Sequence, residues 1–96
     1  MYAVIFKGTV RNFDADYAEM ATRLHVRATT EFGCTGFSSC TEGDEEISIS
    51  YWPSEEHIKV WKQDGEHLQA QENGRSRWYK SYIVEVVKIE REYSYS

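Results

Sequence analysis

Apolar and polar residues change their spacing several times along this chain, and each change marks an element. Residues 2–10 (YAVIFKGTV) are rich in aromatic and β-branched side chains and predict a first strand. The spacing then widens. Tyr17, Met20, Ala21, Leu24 and Ala28 recur at i, i+3, i+4, i+7 and i+11, one stripe of a helix. Asp14 or Asn12 can cap its start, Asp14, Asp16 and Glu19 suit the positive end of its dipole, and Gly33 can end it. A hairpin follows, with a short strand at 37–41, a turn at Glu42-Gly43-Asp44, and Ile47, Ile49 and Tyr51 alternating with Ser48 and Ser50. Pro53 stops that strand, and Ser54 caps a second helix with Glu55 and Glu56 in its first turn. Ile58, Trp61, Gly65 and Leu68 share one face of it. A glycine inside a helix costs about 1 kcal/mol relative to alanine, so a break is expected near Asp64-Gly65. Asn73-Gly74 closes this helix, residues 81–93 predict the last strand, and 94–96 trail off as a tail.

The order β-α-β-β-α-β fits a ferredoxin-like α+β fold, an antiparallel sheet with both helices on one face. The other face then needs water-tolerant residues or a second subunit. Ile83-Val84 and Val86-Val87 place apolar side chains on both faces of the last strand, which dimerisation through the uncovered face explains most simply. No linker, repeat or low-complexity segment divides residues 1–96, which read as a single domain.

Composition sharpens this reading. Aromatic residues make up 15% of the 96, much flat amphipathic surface for a domain with so little interior, so some of it is expected to meet a partner or a ligand. The net charge of −5 and the lack of a basic stripe argue against nucleic acid; Arg75, Arg77 and Lys80 form the one cationic cluster, read as a solvated rim. No apolar run approaches the ~20 residues of a membrane span, and no leader is expected at the start. Cys34 and Cys40, the only cysteines, read as small reduced hydrophobes of a cytoplasmic protein. His25, His57 and His67 show no metal-ligand spacing, so no metal site is expected.

Several segments together resemble the antibiotic biosynthesis monooxygenase family. These are Trp52-Pro53-Ser54-Glu55-Glu56 entering a helix, Trp61 nine positions on, and the run Glu66-His67-Leu68-x-Ala70-Gln71. Gly74-Arg75, Trp78-Tyr79, Tyr82 and the Val-rich strand ending Glu90-Arg91-x-Tyr93 follow the same pattern. The resemblance spans nearly the whole chain. It implies a homodimeric α/β barrel, in which two ferredoxin-like sheets pack back to back and each protomer keeps a pocket between sheet and helices. It also implies a cofactor-independent monooxygenase that oxidises a small flat phenol, quinol or anthrone with O₂. The alternative is a non-enzymatic dimer on the same scaffold, a small-molecule-binding or stress-related protein. Haem-degrading relatives carry an iron-binding histidine ten positions after the tryptophan; here that position is Gln71, a poor iron ligand. Their first-strand asparagine is also missing, the comparable stretch being Ile5-Phe6-Lys7, which disfavours haem degradation.

Such an oxygenase must bind a flat ring, favour its anion and move protons. Trp61 and His67 are the catalytic candidates, and Gln71, Arg77, Trp78, Tyr79 and Tyr82 the substrate-binding ones. On a continuous helix Asp64 and Gln71 would both reach the His67 ring, and the carboxylate would raise its pKa. Against this, Trp61 has the spacing of a core residue, His67 sits among polar neighbours, and residues 74–82 have the composition of a dimer seam. The readings separate on one observation: whether Trp61 and His67 face a cavity of several hundred Å³.

Overall fold

The computed structural model describes residues 1–96. Strand β1 (Tyr2–Val10) leads to helix α1 (Ala15–Glu31), then to the hairpin β2 (Gly36–Glu42) and β3 (Glu45–Trp52), helices α2 (Glu55–Lys62) and α3 (Gly65–Asn73), a five-residue π-helical turn (Gly74–Trp78) and β4 (Tyr79–Lys88). The sheet is antiparallel, in the order β2-β3-β1-β4. This is the ferredoxin-like arrangement expected from the element order, with the second helix divided.

Local chemistry accounts for each boundary. Asp14 caps α1 by accepting from the Tyr17 amide, and Gly33, at φ 88°, turns the chain out of it. Ser54 caps α2 in the same way. The break falls where the glycine foretold it. Asp64 leaves the helical path, and its carboxylate accepts the Glu66 and His67 amides as the cap of α3. That carboxylate also holds Arg27 of α1 through two 2.8 Å bonds, which fixes the second helix pair against the first. Restarting at Gly65 rotates the faces: Leu68, expected inward with Trp61, is half exposed. The final strand also differs from expectation. It begins at Tyr79, because the π turn delivers the chain to the sheet early, and it ends at Lys88, beyond which β1 offers only the bond from the Ile89 amide to Met1.

The sheet is polar on its covered side. Glu46, Ser48, Ser50 and Trp52 of β3 face the helices, with Val4 and Phe6 of β1. By alternation Ile47, Ile49 and Tyr51, with Ile5, Ile83 and Val87, occupy the uncovered face. Two clusters fill the space beneath the helices. One joins Ala28, Cys34, Trp52, Ile58 and Trp61; the other joins Met20, Trp78 and Tyr79. Leu24 packs against both. Cys34 is buried as expected, whereas Cys40 is exposed, since it falls on the edge strand β2 with its phase toward the uncovered face. No helix is long and apolar enough to cross a membrane.

Candidate functional site

Between sheet and helices lies a cavity of about 540 Å³. The apolar stripe of α1 that the sequence outlined, from Tyr17 to Ala28, forms one wall. Trp61, His67, Ala70 and Gln71 of α2 and α3 form the opposite wall, Ser39 of β2 and Ser48 and Ser50 of β3 contribute to the floor, and Trp78, Tyr79 and Tyr82 line it where β4 begins.

At one end stands a pair of rings. Trp61 is wedged between Trp52 and Phe32, at ring separations of 6.1 and 4.9 Å, and His67 lies 4.7 Å from it. The Trp61 ring is therefore both core and cavity lining. His67 is brought to it by the break at Asp64, since six positions along an unbroken helix would put it about 240° away. The expectation for its pKa is reversed. Asp64 spends its oxygens on backbone amides and Arg27 rather than on the imidazole, and burial pushes His67 below its ordinary value, outweighing the hydrogen bond to the Lys62 carbonyl and the weaker pull of the carboxylate. Gln71 does reach the ring, its amide lying 3.4 Å from Nδ1, a long contact. His67 is thus a neutral imidazole at pH 7, weakly tethered and open to the cavity.

The other end holds a group that the sequence did not point to. Glu46 is only 6% exposed, yet it lines the cavity. Tyr17 donates its hydroxyl to Oε1 at 2.9 Å, and Tyr79 donates to Oε2 at 2.8 Å. Burial, more than any other cause, raises both phenols, Tyr17 to about 12 and Tyr79 further still, so both remain donors at any physiological pH. The rings around them are ordered. Phe13 stacks on Tyr17 at 3.7 Å, and Phe6 packs edge-on to Tyr79 at 5.0 Å and stacks with Tyr82 at 5.3 Å. Gly8, the cross-strand neighbour of both Glu46 and Tyr82, leaves room for Tyr79; a Cβ there would come within 2.8 Å of its ring. In sequence Glu46 belongs to a turn-flanking acidic run, Asp44-Glu45-Glu46. The one available signal was its phase with Trp52 across Ser48 and Ser50.

Of the expected substrate-binding residues, Gln71, Trp78, Tyr79 and Tyr82 line the cavity. Arg77 does not: it points to the surface, where it ties Asp14 and Asp16. Trp78 and Tyr79 are packed inside the chain itself, with the Trp78 indole donating to Asp14, so the seam expected at residues 74–82 loses its two largest anchors. His25 stacks near Phe37 at the cavity lining, and His57 faces the Ser54 hydroxyl. No group of His, Cys, Asp and Glu side chains is arranged to hold a metal ion.

A ferredoxin-like sheet whose helices enclose an aromatic slot defines a recognised structural class. The chain has the fold of antibiotic biosynthesis monooxygenase-type proteins, as its sequence resemblance implied. The structure of SnoaB, a cofactor-independent oxygenase from Streptomyces nogalater, matches it with a TM-score of 0.78 at 12% identity, over 95% of this chain and 94% of that one. Rv0793 from Mycobacterium tuberculosis matches with a TM-score of 0.81 at 16% identity, over 97% and 98% of the two chains. In sequence, the chain is 41% identical to YqjZ of Bacillus subtilis over 92 residues, 95% of this chain and 81% of YqjZ, and it belongs to the same family as YqjZ. No family model matches the chain.

Proposed function

We propose that the chain is a cofactor-independent monooxygenase that oxidises a small, flat, reduced aromatic (a phenol, quinol or anthrone) with O₂ in this cavity. The observation that carries the proposal is that Trp61 and the half-buried His67, its pKa lowered, face the same aromatic-lined space of about 540 Å³. A cavity of this size suits a small multi-ring ligand. Trp61 and Tyr82 offer flat surfaces for the ring, and Gln71 a polar contact beside it.

The chemistry asks for a base and for dryness. His67 takes a proton from the reduced aromatic, leaving the electron pair on an extended anion. That anion passes one electron to O₂; the resulting radical and superoxide combine to a peroxide anion, which takes the proton back from His67 to become a hydroperoxide. For an anthrone, the hydroperoxide then loses water to give the quinone, so a CH₂ group and O₂ become C=O and H₂O. The buried walls keep solvent from quenching these species.

We read residues 1–96 as one domain of a cytoplasmic homodimer that pairs through the uncovered sheet face. Ile47 and Ile83 are 42% and 55% exposed there in the single chain, apolar surface suited to a self-complementary contact. Oxygen uptake with a panel of anthrones and quinols tests the enzyme reading, on the wild type and on Trp61→Ala and His67→Ala. Catalysed uptake that falls in the folded variants supports it. Uptake no faster than the uncatalysed rate across the panel favours a dimer that binds small molecules without converting them.

A further inference from the structure

We infer that Glu46, held by Tyr17 and Tyr79, is the specificity-determining acceptor of the cavity, and that it selects flat aromatics carrying a free hydroxyl at the end remote from Trp61. This rests on the cavity being the ligand site proposed above, and names the chemistry that its second end recognises.

Glu46 is nearly enclosed but takes part in none of the chain's ion pairs, which all lie among other residues. A buried acid with no cation beside it is expensive, and a leucine at this point in β3 would serve packing better. The structure instead invests in keeping the group. Tyr17 comes from α1 and Tyr79 from β4, each serving a different oxygen, and Gly8 leaves space for one of the two rings. An ionised carboxylate has about four acceptor sites, and the phenols use two. At least one of the others can take a bond from a molecule in the cavity, since Glu46 is among its lining residues.

What would satisfy it is a donor. A phenolic O–H gives the carboxylate a third bond at no cost in charge, while the ring lies among Phe6, Tyr79 and Tyr82. A carboxylate ligand would be repelled, and an ether would leave the acceptor dry and unmet, a mismatch that discriminates more strongly than a missing methylene does. The separation of the two ends follows from the strand. Glu46 and Trp52 share a face of β3 six residues apart, roughly 20 Å. The Trp52–Trp61 end and the Glu46 end are therefore distinct, with Ser48 and Ser50 between them. A ligand held at the carboxylate by its hydroxyl extends from there toward Trp61 and His67.

The test is binding without turnover. Anaerobic titration of 2,6-dihydroxynaphthalene, its monomethyl ether and its dimethyl ether, followed by quenching of tryptophan fluorescence, reads the value of the hydroxyl. One hydrogen bond to a charged acceptor corresponds to roughly 10- to 100-fold in Kd. The wild type should prefer the diol to the dimethyl ether by at least that lower figure, and Glu46→Gln should reduce the preference to a few-fold. If Glu46→Gln does not fold, Glu46→Asp withdraws the carboxylate by one methylene and should weaken the preference likewise, whereas Tyr17→Phe, which keeps the carboxylate, should retain it. No preference in the wild type, no binding of any of the three, or a preference unchanged in a folded Glu46 variant would overturn the inference. The oxygenase reading fails separately: a diol that binds with this preference yet is never oxidised would sink that reading and leave the role of Glu46 intact.

Discussion

Replacing Tyr79 with phenylalanine removes one oxygen atom from the enclosed end of the cavity and leaves the ring to pack as before against Phe6 and Phe13. That oxygen donates to Glu46 Oε2 at 2.8 Å, and Tyr79 is only 8% exposed, so water has little access to replace it. Tyr17 cannot compensate, because its own hydroxyl is committed to Oε1. A hydrogen bond to an ionised group contributes about 1.5–3 kcal/mol to stability. Tyr79→Phe should therefore lose about 2 kcal/mol, a fall in Tm of about 8–16 °C for a domain of this size. Urea unfolding followed by circular dichroism would measure it. The protomer concentration must be held fixed, because any association ties apparent stability to concentration. The m-value should not change, since the exposed surface does not. Combining Tyr79→Phe with Glu46→Gln should cost less than the two losses added, by more than about 0.5 kcal/mol, because both remove the same bond. A loss below about 0.5 kcal/mol for Tyr79→Phe alone would refute the view that Glu46 is an acceptor secured by two phenols.

Four further outcomes follow from the same geometry. Tyr17 is raised to about 12, chiefly by burial, against an ordinary value near 10; the folded state therefore holds its proton more tightly, and stability present below pH 10 should be lost as the pH climbs through 12, visible as a steep alkaline limb that Tyr17→Phe flattens. His67 is lowered by burial, so oxygen uptake should be full at pH 7 and fall only below the ordinary histidine midpoint of 6.5, and His67→Ala should reduce the rate about 100-fold while Trp61→Ala also weakens ligand binding. Asp64→Asn should keep the α3 cap and lose the Arg27 pair, while Asp64→Ala loses both, so Tm should fall in the order wild type, Asn, Ala. Ile49→Asp on the uncovered face should change the mass seen by light scattering from twice the 11.2 kDa chain to the chain itself; a wild-type protein that is already monomeric at micromolar concentration would end the dimer proposal.

The architecture was legible in the sequence because its signals were local. A capping aspartate, a stripe at helical spacing and a proline after an alternating run each act within a few residues, and the structure places α1, α2 and the first three strands where they point. Gly65 gave away the helix break for the same reason. The consequences of the break were not local. Whether Leu68 or His67 turns inward depends on how α3 restarts, and that is set by Asp64 reaching a partner 37 positions away on α1. The His67 pKa failed on the same point: its nearest carboxylate in sequence is occupied elsewhere, and burial decides. The shift of β4 depended on a π turn that no spacing rule announced. Glu46 was missed for a different reason, because an acid beside a hairpin turn reads as solvated, and only the convergence of α1 and β4 upon it makes it interior.

The inverted sheet ties these observations together. In a self-sufficient ferredoxin-like domain the helix-covered face of β3 should carry the isoleucines and the bare face the serines. Here Ile47, Ile49 and Tyr51 lie on the bare face, while Ser48, Ser50 and Glu46 lie under the helices. Neither half of the inversion makes sense alone. Bare isoleucines without a partner would be exposed apolar surface with nothing gained, and buried serines beneath close-packed helices would leave polar groups to satisfy for no benefit to packing. With a second copy over the bare face, the hydrophobic interior of the assembly shifts to the junction between sheets. The space under the helices is then released from its duty as a core. Only 12 of the 96 residues are buried in the isolated chain, which is what such a division leaves behind. Under the proposed pairing, the open, partly polar slot and the association of two chains would depend on each other, and a monomeric variant such as Ile49→Asp should lose stability as well as mass.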